Sequence, residues 1–148
     1  QGRSFKLVQF HFHRPSEEMI DGKTFEMVVH LVHQDSQGKL AVVAVLIEKG
    51  ARQPVLQAVL NNLPLEKGQE IPVVGSSIAL AQMLPTDRRY FTYMGSLTTP
   101  PCTEGVHWML LETPVELSAD QIAAMKAAYD GNFRPVQPLN GRKVDETQ

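Results

Sequence analysis

The stretch Phe5-Lys6-Leu7-Val8-Gln9-Phe10-His11-Phe12-His13 decides how the rest of the chain is read. Its second half alternates, and on a strand residues two apart project from the same face. His11 and His13 therefore point together while Phe10 and Phe12 point away. Two neighbouring imidazoles can reach one small cation. A third His from an adjacent strand would leave a fourth position open, as a catalytic zinc site requires. His30 and His33, in the Val-rich strand expected over Phe25 to His33, are the candidates. Their odd offset puts them on opposite faces, so they cannot both serve. An HxH pair by itself also occurs on ordinary surface strands. His33 and His107 are expected to be packing or hydrogen-bonding histidines.

The remaining pattern is mostly β with a few helices. Asp21-Gly22 is a tight-turn dipeptide that lets the strands over 5–13 and 25–33 pair antiparallel. Leu40 to Ile47 is a continuous apolar run, as expected of a central strand covered on both faces. Ala51 to Leu63 reads as a helix with Pro54 in its first turn, where a missing N–H does little harm. Ile71 to Leu84 suggests a short strand and then a helical turn. Tyr90 to Leu97 and Val106 to Leu111 are expected strands joined by a rigid segment, Thr98 to Gly105. Ser118 to Tyr129 is a helix with Ser118 and Gln121 at capping-box spacing and Gly131 beyond its end. The tail from Asn132 reads as coil.

Composition excludes several classes. The chain has 148 residues, 43% of them hydrophobic, with a formal net charge of −2 and no basic block. That suits one core-bearing domain and argues against a nucleic-acid surface or a polybasic membrane patch. The longest apolar run is far too short to span a bilayer. One cysteine, Cys102, excludes an internal disulfide framework and a multi-cysteine zinc site. The chain begins at Gln1, which fits a processed or truncated piece.

A carboxylate sharpens the metal reading. Glu17 follows His13 by four residues, and HxHxxxE also fits the first metal motif of cupin barrels. The second cupin motif has no counterpart here. Gly95-Ser96-Leu97-Thr98-Thr99-Pro100-Pro101 holds two hydroxyl residues in place with two prolines. Taken with QFHFH at Gln9 to His13, Pro15-Ser16-Glu17, His30-Leu31-Val32-His33, Leu40-Ala41-Val42, Tyr90 to Pro101, Val106, Trp108 and NFRPVQPLNGR at Asn132 to Arg142, the chain resembles the bacterial-type α-class carbonic anhydrases. These motifs run in the right order over essentially the whole chain.

The resemblance implies a large, twisted, mostly antiparallel sheet with peripheral helices, a mainly β (α+β) fold. It implies zinc held by His11, His13 and His30, and reversible hydration of carbon dioxide to bicarbonate and a proton by zinc hydroxide. Carbonic anhydrase is the standard case of a zinc-bound water whose pKa falls to about 7. Thr98 matches the family's gatekeeper threonine and Glu17 the carboxylate that accepts its hydroxyl proton, a positioning pair. Val32, Val42, Leu97, Val106 and Trp108 match an apolar wall beside the metal, with Thr99 at the mouth. Gln9 and the carbonyl of Asn132 match the groups that hold the first two ligands.

The third ligand departs from the pattern. The family commonly has a Glu two residues before it and a His after the position of Glu17; here those positions are Val28 and Glu18. Glu18 is the expected replacement carboxylate for His30. The resemblance also implies an absent N-terminal portion, normally the source of the proton-shuttle His. Unpaired edges or exposed apolar surface are then expected. Secreted members often bridge a cysteine matching Cys102 to that portion, which implies a periplasmic or secreted protein; a free buried thiol is the alternative.

Overall fold

A computed structural model describes residues 2–63, 78–128 and 130–147. The chain opens with β1 (Lys6–His13), followed by the short strands β2 (Met19–Ile20) and β3 (Lys23–Thr24). Asp21 and Gly22 turn that hairpin with φ of 49° and 76°. Positive φ at both central residues is what a type I′ turn needs. The dipeptide thus closes a small hairpin lying between the two long strands it was expected to join. Next come β4 (Met27–Gln34), β5 (Leu40–Lys49), α1 (Pro54–Leu60), a 3₁₀ turn at Leu80–Met83 and β6 (Tyr90–Ser96). β7 (Glu104–Leu111), β8 (Val115–Leu117), α2 (Ala119–Ala128) and β9 (Asp145–Glu146) complete the order.

Seven strands form one sheet in the order β1-β4-β5-β7-β6-β9, with β8 alongside the end of β5. β1–β4, β4–β5, β6–β7 and β6–β9 are antiparallel, whereas β5 pairs in parallel with both β7 and β8. The sheet is therefore mixed and mostly antiparallel, with its helices outside, as the α-class architecture implies. Among the described residues the outer edge of β1 has no partner strand, and Leu7 and Val8 on it are exposed.

Strand parity sorts the sheet into two faces. Met27, Val29 and Leu31 of β4 and Val45 and Ile47 of β5 pack under Val55, Leu56 and Val59 of α1 and Ile122 and Met125 of α2. Val28 and Val32 of β4 and Val42, Ala44 and Leu46 of β5 turn the other way, toward Val106, Trp108 and Leu110 of β7. Both faces of β5 are buried, which is why its sequence is apolar without interruption.

Both helices are capped by side chains, and α1 is shorter than the expected Ala51 to Leu63. Gln53 Oε1 accepts from the Val55 and Leu56 N–H groups, so α1 starts at Pro54 rather than at Ala51. In α2 the Ser118 hydroxyl accepts from Gln121 N–H and the Gln121 side chain accepts from Ser118 N–H, a reciprocal capping box. Buried Gln121 also exchanges bonds of 2.9 and 2.7 Å with the backbone of Gln53, which ties the two helices together. The strand expected near Ile71 lies outside the described residues. Within the tail expected to be coil, β9 pairs with β6. No helix among the described residues is long and apolar enough to cross a membrane.

Candidate metal centre

Register settles which histidine joins the pair. His11 of β1 lies directly opposite His30 of β4, on the face that carries Val28 and Val32. His33 falls on the other parity, and its Nδ1 bonds the Leu31 carbonyl at 2.8 Å. His107 is likewise occupied, 2.7 Å from the Thr92 hydroxyl on the adjacent strand. One nitrogen from each of His11, His13 and His30 lies within 4.8 Å of the others. His13 and His30 are 4% and 1% exposed, and His11 is half-buried.

Each ring is held by an oxygen on its far side. Gln9 Oε1 accepts from His11 Nδ1–H at 2.8 Å, and the Asn132 carbonyl accepts from His13 Nδ1–H at 2.6 Å. Glu18 Oε1 accepts from His30 Nε2–H at 2.6 Å. Because these partners accept, those nitrogens carry the protons, and lone pairs are left on Nε2 of His11, Nε2 of His13 and Nδ1 of His30. Asn132 is itself clamped to β1. Its side chain donates to the Phe12 carbonyl at 2.8 Å and accepts from Arg14 N–H at 2.9 Å, bracketing the strand around His13.

The electrostatics favour the neutral form of His11 and His13. Burial, reinforced by the neighbouring His30 and His13, lowers His11 to about 4. Burial also lowers His13, against the opposing pull of its bond to Asn132. His13 Nε2 is buried without a hydrogen-bond partner among the described residues. An orphaned lone pair in such a place is costly unless it has a ligand. Three imidazoles converging on one point, each oriented from behind, fit a zinc ion with an open coordination position.

The expected wall lies on the same face. Val32, Val42, Val106 and Trp108 are buried, and Leu97 is partly buried against them. Trp108 packs edge-on to His30 at 4.9 Å and stacks on Tyr93 at 6.2 Å between ring centroids. Its Nε1–H donates to the Ser96 carbonyl at 3.1 Å, so the indole turns no free donor toward the site. Gly95 makes room for it: a Cβ there would lie 2.9 Å from Trp108 Cδ1. Gly95→Ala should therefore displace the indole and cost about 1–3 kcal/mol. Trp108 is the sole tryptophan, so a shifted fluorescence emission with a lower unfolding midpoint would report it. Unchanged emission and midpoint would contradict the fit.

The expected Thr98–Glu17 pairing is where the structure differs. Among the described residues no hydrogen bond joins them: Glu17 Oε1 accepts from Arg134 N–H at 2.7 Å, and buried Oε2 has no partner. Glu17 also lies 3.4 Å from His13 Nδ1 and 3.9 Å from His30 Nδ1. Half-buried Thr98 and both glutamates line a cavity of ≈ 780 Å³ whose lining includes Trp108 but none of the three histidines, and Thr99, next in the chain, is exposed. Tyr93 lines the same cavity, its hydroxyl pushed well up by burial and then by Glu18. Sequence reasoning gave no role to Ser16 or to the Arg134 N–H. Both sit inside quoted motifs, but a main-chain donor leaves no signature in residue type. Cys102 is a half-buried free thiol at a φ of 56°.

Fold and site together define a sheet protein that brings three imidazoles close enough to hold one metal ion. The family model for eukaryotic-type carbonic anhydrases matches residues 1–148, and the chain belongs to that family. A carbonic anhydrase of Nostoc sp. is 45% identical over 97% of this chain and 54% of its own length. An α-carbonic anhydrase from Thermovibrio ammonificans, solved with the inhibitor sulfanilamide, superposes with a TM-score of 0.91 at 43% identity, covering 97% of this chain and 63% of that one. A hyperthermostable carbonic anhydrase from a hydrothermal vent chimney gives 0.93 at 43% identity, covering 99% and 66%. The chain thus spans about half the length of the Nostoc relative.

Proposed function

We propose that the chain acts as a zinc-dependent carbonic anhydrase, interconverting carbon dioxide with bicarbonate and a proton. The observation that carries this reading is the trio of lone pairs on His11 Nε2, His13 Nε2 and His30 Nδ1, one of them buried without a partner among the described residues. Zinc bound there supplies Lewis acidity, which makes water a nucleophile near neutral pH. The chain's own residues do the rest. Gln9, Asn132 and Glu18 hold the imidazoles so that little reorganisation accompanies binding. Glu17 Oε2 is the acceptor available to the Thr98 hydroxyl. With its proton committed there, Thr98 Oγ accepts from the reacting water and aims the oxygen lone pair at the substrate. Val32, Val42, Leu97, Val106 and Trp108 exclude competing water. Carbon dioxide, neutral and without a donor, suits such a wall.

One zinc per chain is expected, with carbon dioxide hydration that disappears on chelation and returns with zinc. Sulfanilamide, the inhibitor bound in the Thermovibrio ammonificans structure, should suppress it. Stopped-flow hydration measured beside metal content checks this. Stoichiometric zinc with hydration no faster than free aqueous zinc would refute the proposal.

A further inference from the structure

His30 has no acceptor on its own strand or beside it. Its same-face neighbours in β4 are Val28 and Val32, and its partners across the sheet are His11 and Ala44. At 1% exposure its far nitrogen would be left unpaired without outside help. Glu18 supplies that help from the segment after β1, at 2.6 Å, with a side chain only 8% exposed. A charge-assisted bond of this kind is among the stronger ones a protein makes.

The delivery is built, and Ser16 builds it. Ser16 N–H donates to the Phe25 carbonyl at 3.1 Å, and the Ser16 hydroxyl accepts from Phe25 N–H at 2.9 Å. The same hydroxyl donates to the Glu18 carbonyl at 2.8 Å. One buried serine therefore ties the glutamate-bearing segment to the residue two positions before β4. Val28 sits on the same face of β4 as His30, fully buried, and opposite His13. Residues two apart on one face of a strand are close enough for a glutamate to span.

We infer that Glu18 is the positioning residue for His30, and that positions 18 and 28 are alternative hosts for one carboxylate. This rests on the reading of the three histidines as a zinc site. Glu18→Gln keeps size and an acceptor oxygen but removes the charge, and zinc affinity should fall about 10–100-fold. Adding Val28→Glu to Glu18→Gln should restore most of the loss. In the zinc-free parent, ¹⁵N NMR should find His30 protonated on Nε2, and Glu18→Gln should mix the two tautomers.

Competition with a chromogenic chelator gives the affinities, and circular dichroism of the zinc-free variants confirms that they fold. A Glu18→Gln affinity within about twofold of the parent, against the expected loss, overturns the positioning role. A loss that Val28→Glu leaves in place overturns the exchange. If the parent itself binds no zinc, or His11→Ala binds as tightly, the zinc-site reading fails. The tautomer measurement then still decides whether Glu18 orients the ring.

Discussion

Replacing His13 with alanine is expected to strip the chain of zinc and of carbon dioxide hydration together. Four-ligand zinc sites bind with roughly 10–16 kcal/mol in all, so one protein ligand is worth about 3–4 kcal/mol, or a factor of several hundred in affinity. His13 should show the effect most cleanly, because its Nε2 is the buried lone pair with no partner among the described residues. Removing it takes away a ligand and leaves the Asn132 carbonyl, 2.6 Å from Nδ1 in the parent, without its donor. Equilibrium dialysis against a zinc buffer and stopped-flow hydration are the two measurements. Retention of one zinc per chain by His13→Ala would show that the metal sits elsewhere.

The second large effect should separate chemistry from metal. Thr98→Ala is expected to lower kcat/KM about 100-fold while leaving zinc content unchanged, because in the proposed function the hydroxyl positions the nucleophile and is not one of the three metal-holding groups. Glu17→Gln should do nearly as much. One of its oxygens is taken by the Arg134 N–H, so only Oε2 is left to hold the Thr98 proton. The two losses should not add, since the residues act as one unit. Thr98→Ser should recover most of the rate. If Thr98→Ala stays within about threefold of the parent, a factor worth well under 1 kcal/mol, the positioning account is wrong.

Much of this was legible from local pattern. Alternation around Phe10, His11, Phe12 and His13 fixed which side chains travel together, and Ser118 with Gln121 marked the start of α2. Parity excluded one of His30 and His33 without saying which; the family resemblance pointed to His30, and the pairing of His11 with His30 across β1 and β4 supplies the physical reason. Sheet order was out of reach for the same reason. The parallel pairing of β5 with β7 joins residues more than sixty positions apart, and nothing within either strand encodes its neighbour. The three-residue β8 and two-residue β9 are too short to carry a period. Glu18 could be anticipated because two departures from a familiar pattern fell together. The Arg134 N–H could not, since any residue at that position would supply it.

Asn132 has a bearing on timing. The carbonyl that aligns His13 comes from a residue 119 positions further along. At 5–20 residues per second, ribosomal synthesis takes roughly 6–24 s to cover that distance. Once β4 has been made, for the rest of that interval β1 and β4 can exist with their histidines in register but with one ring unaligned. A nascent chain meeting zinc early would grip it with two fixed imidazoles and one still rotating. If zinc is the metal held there, durable loading therefore comes only after the Asn132 segment has closed over β1.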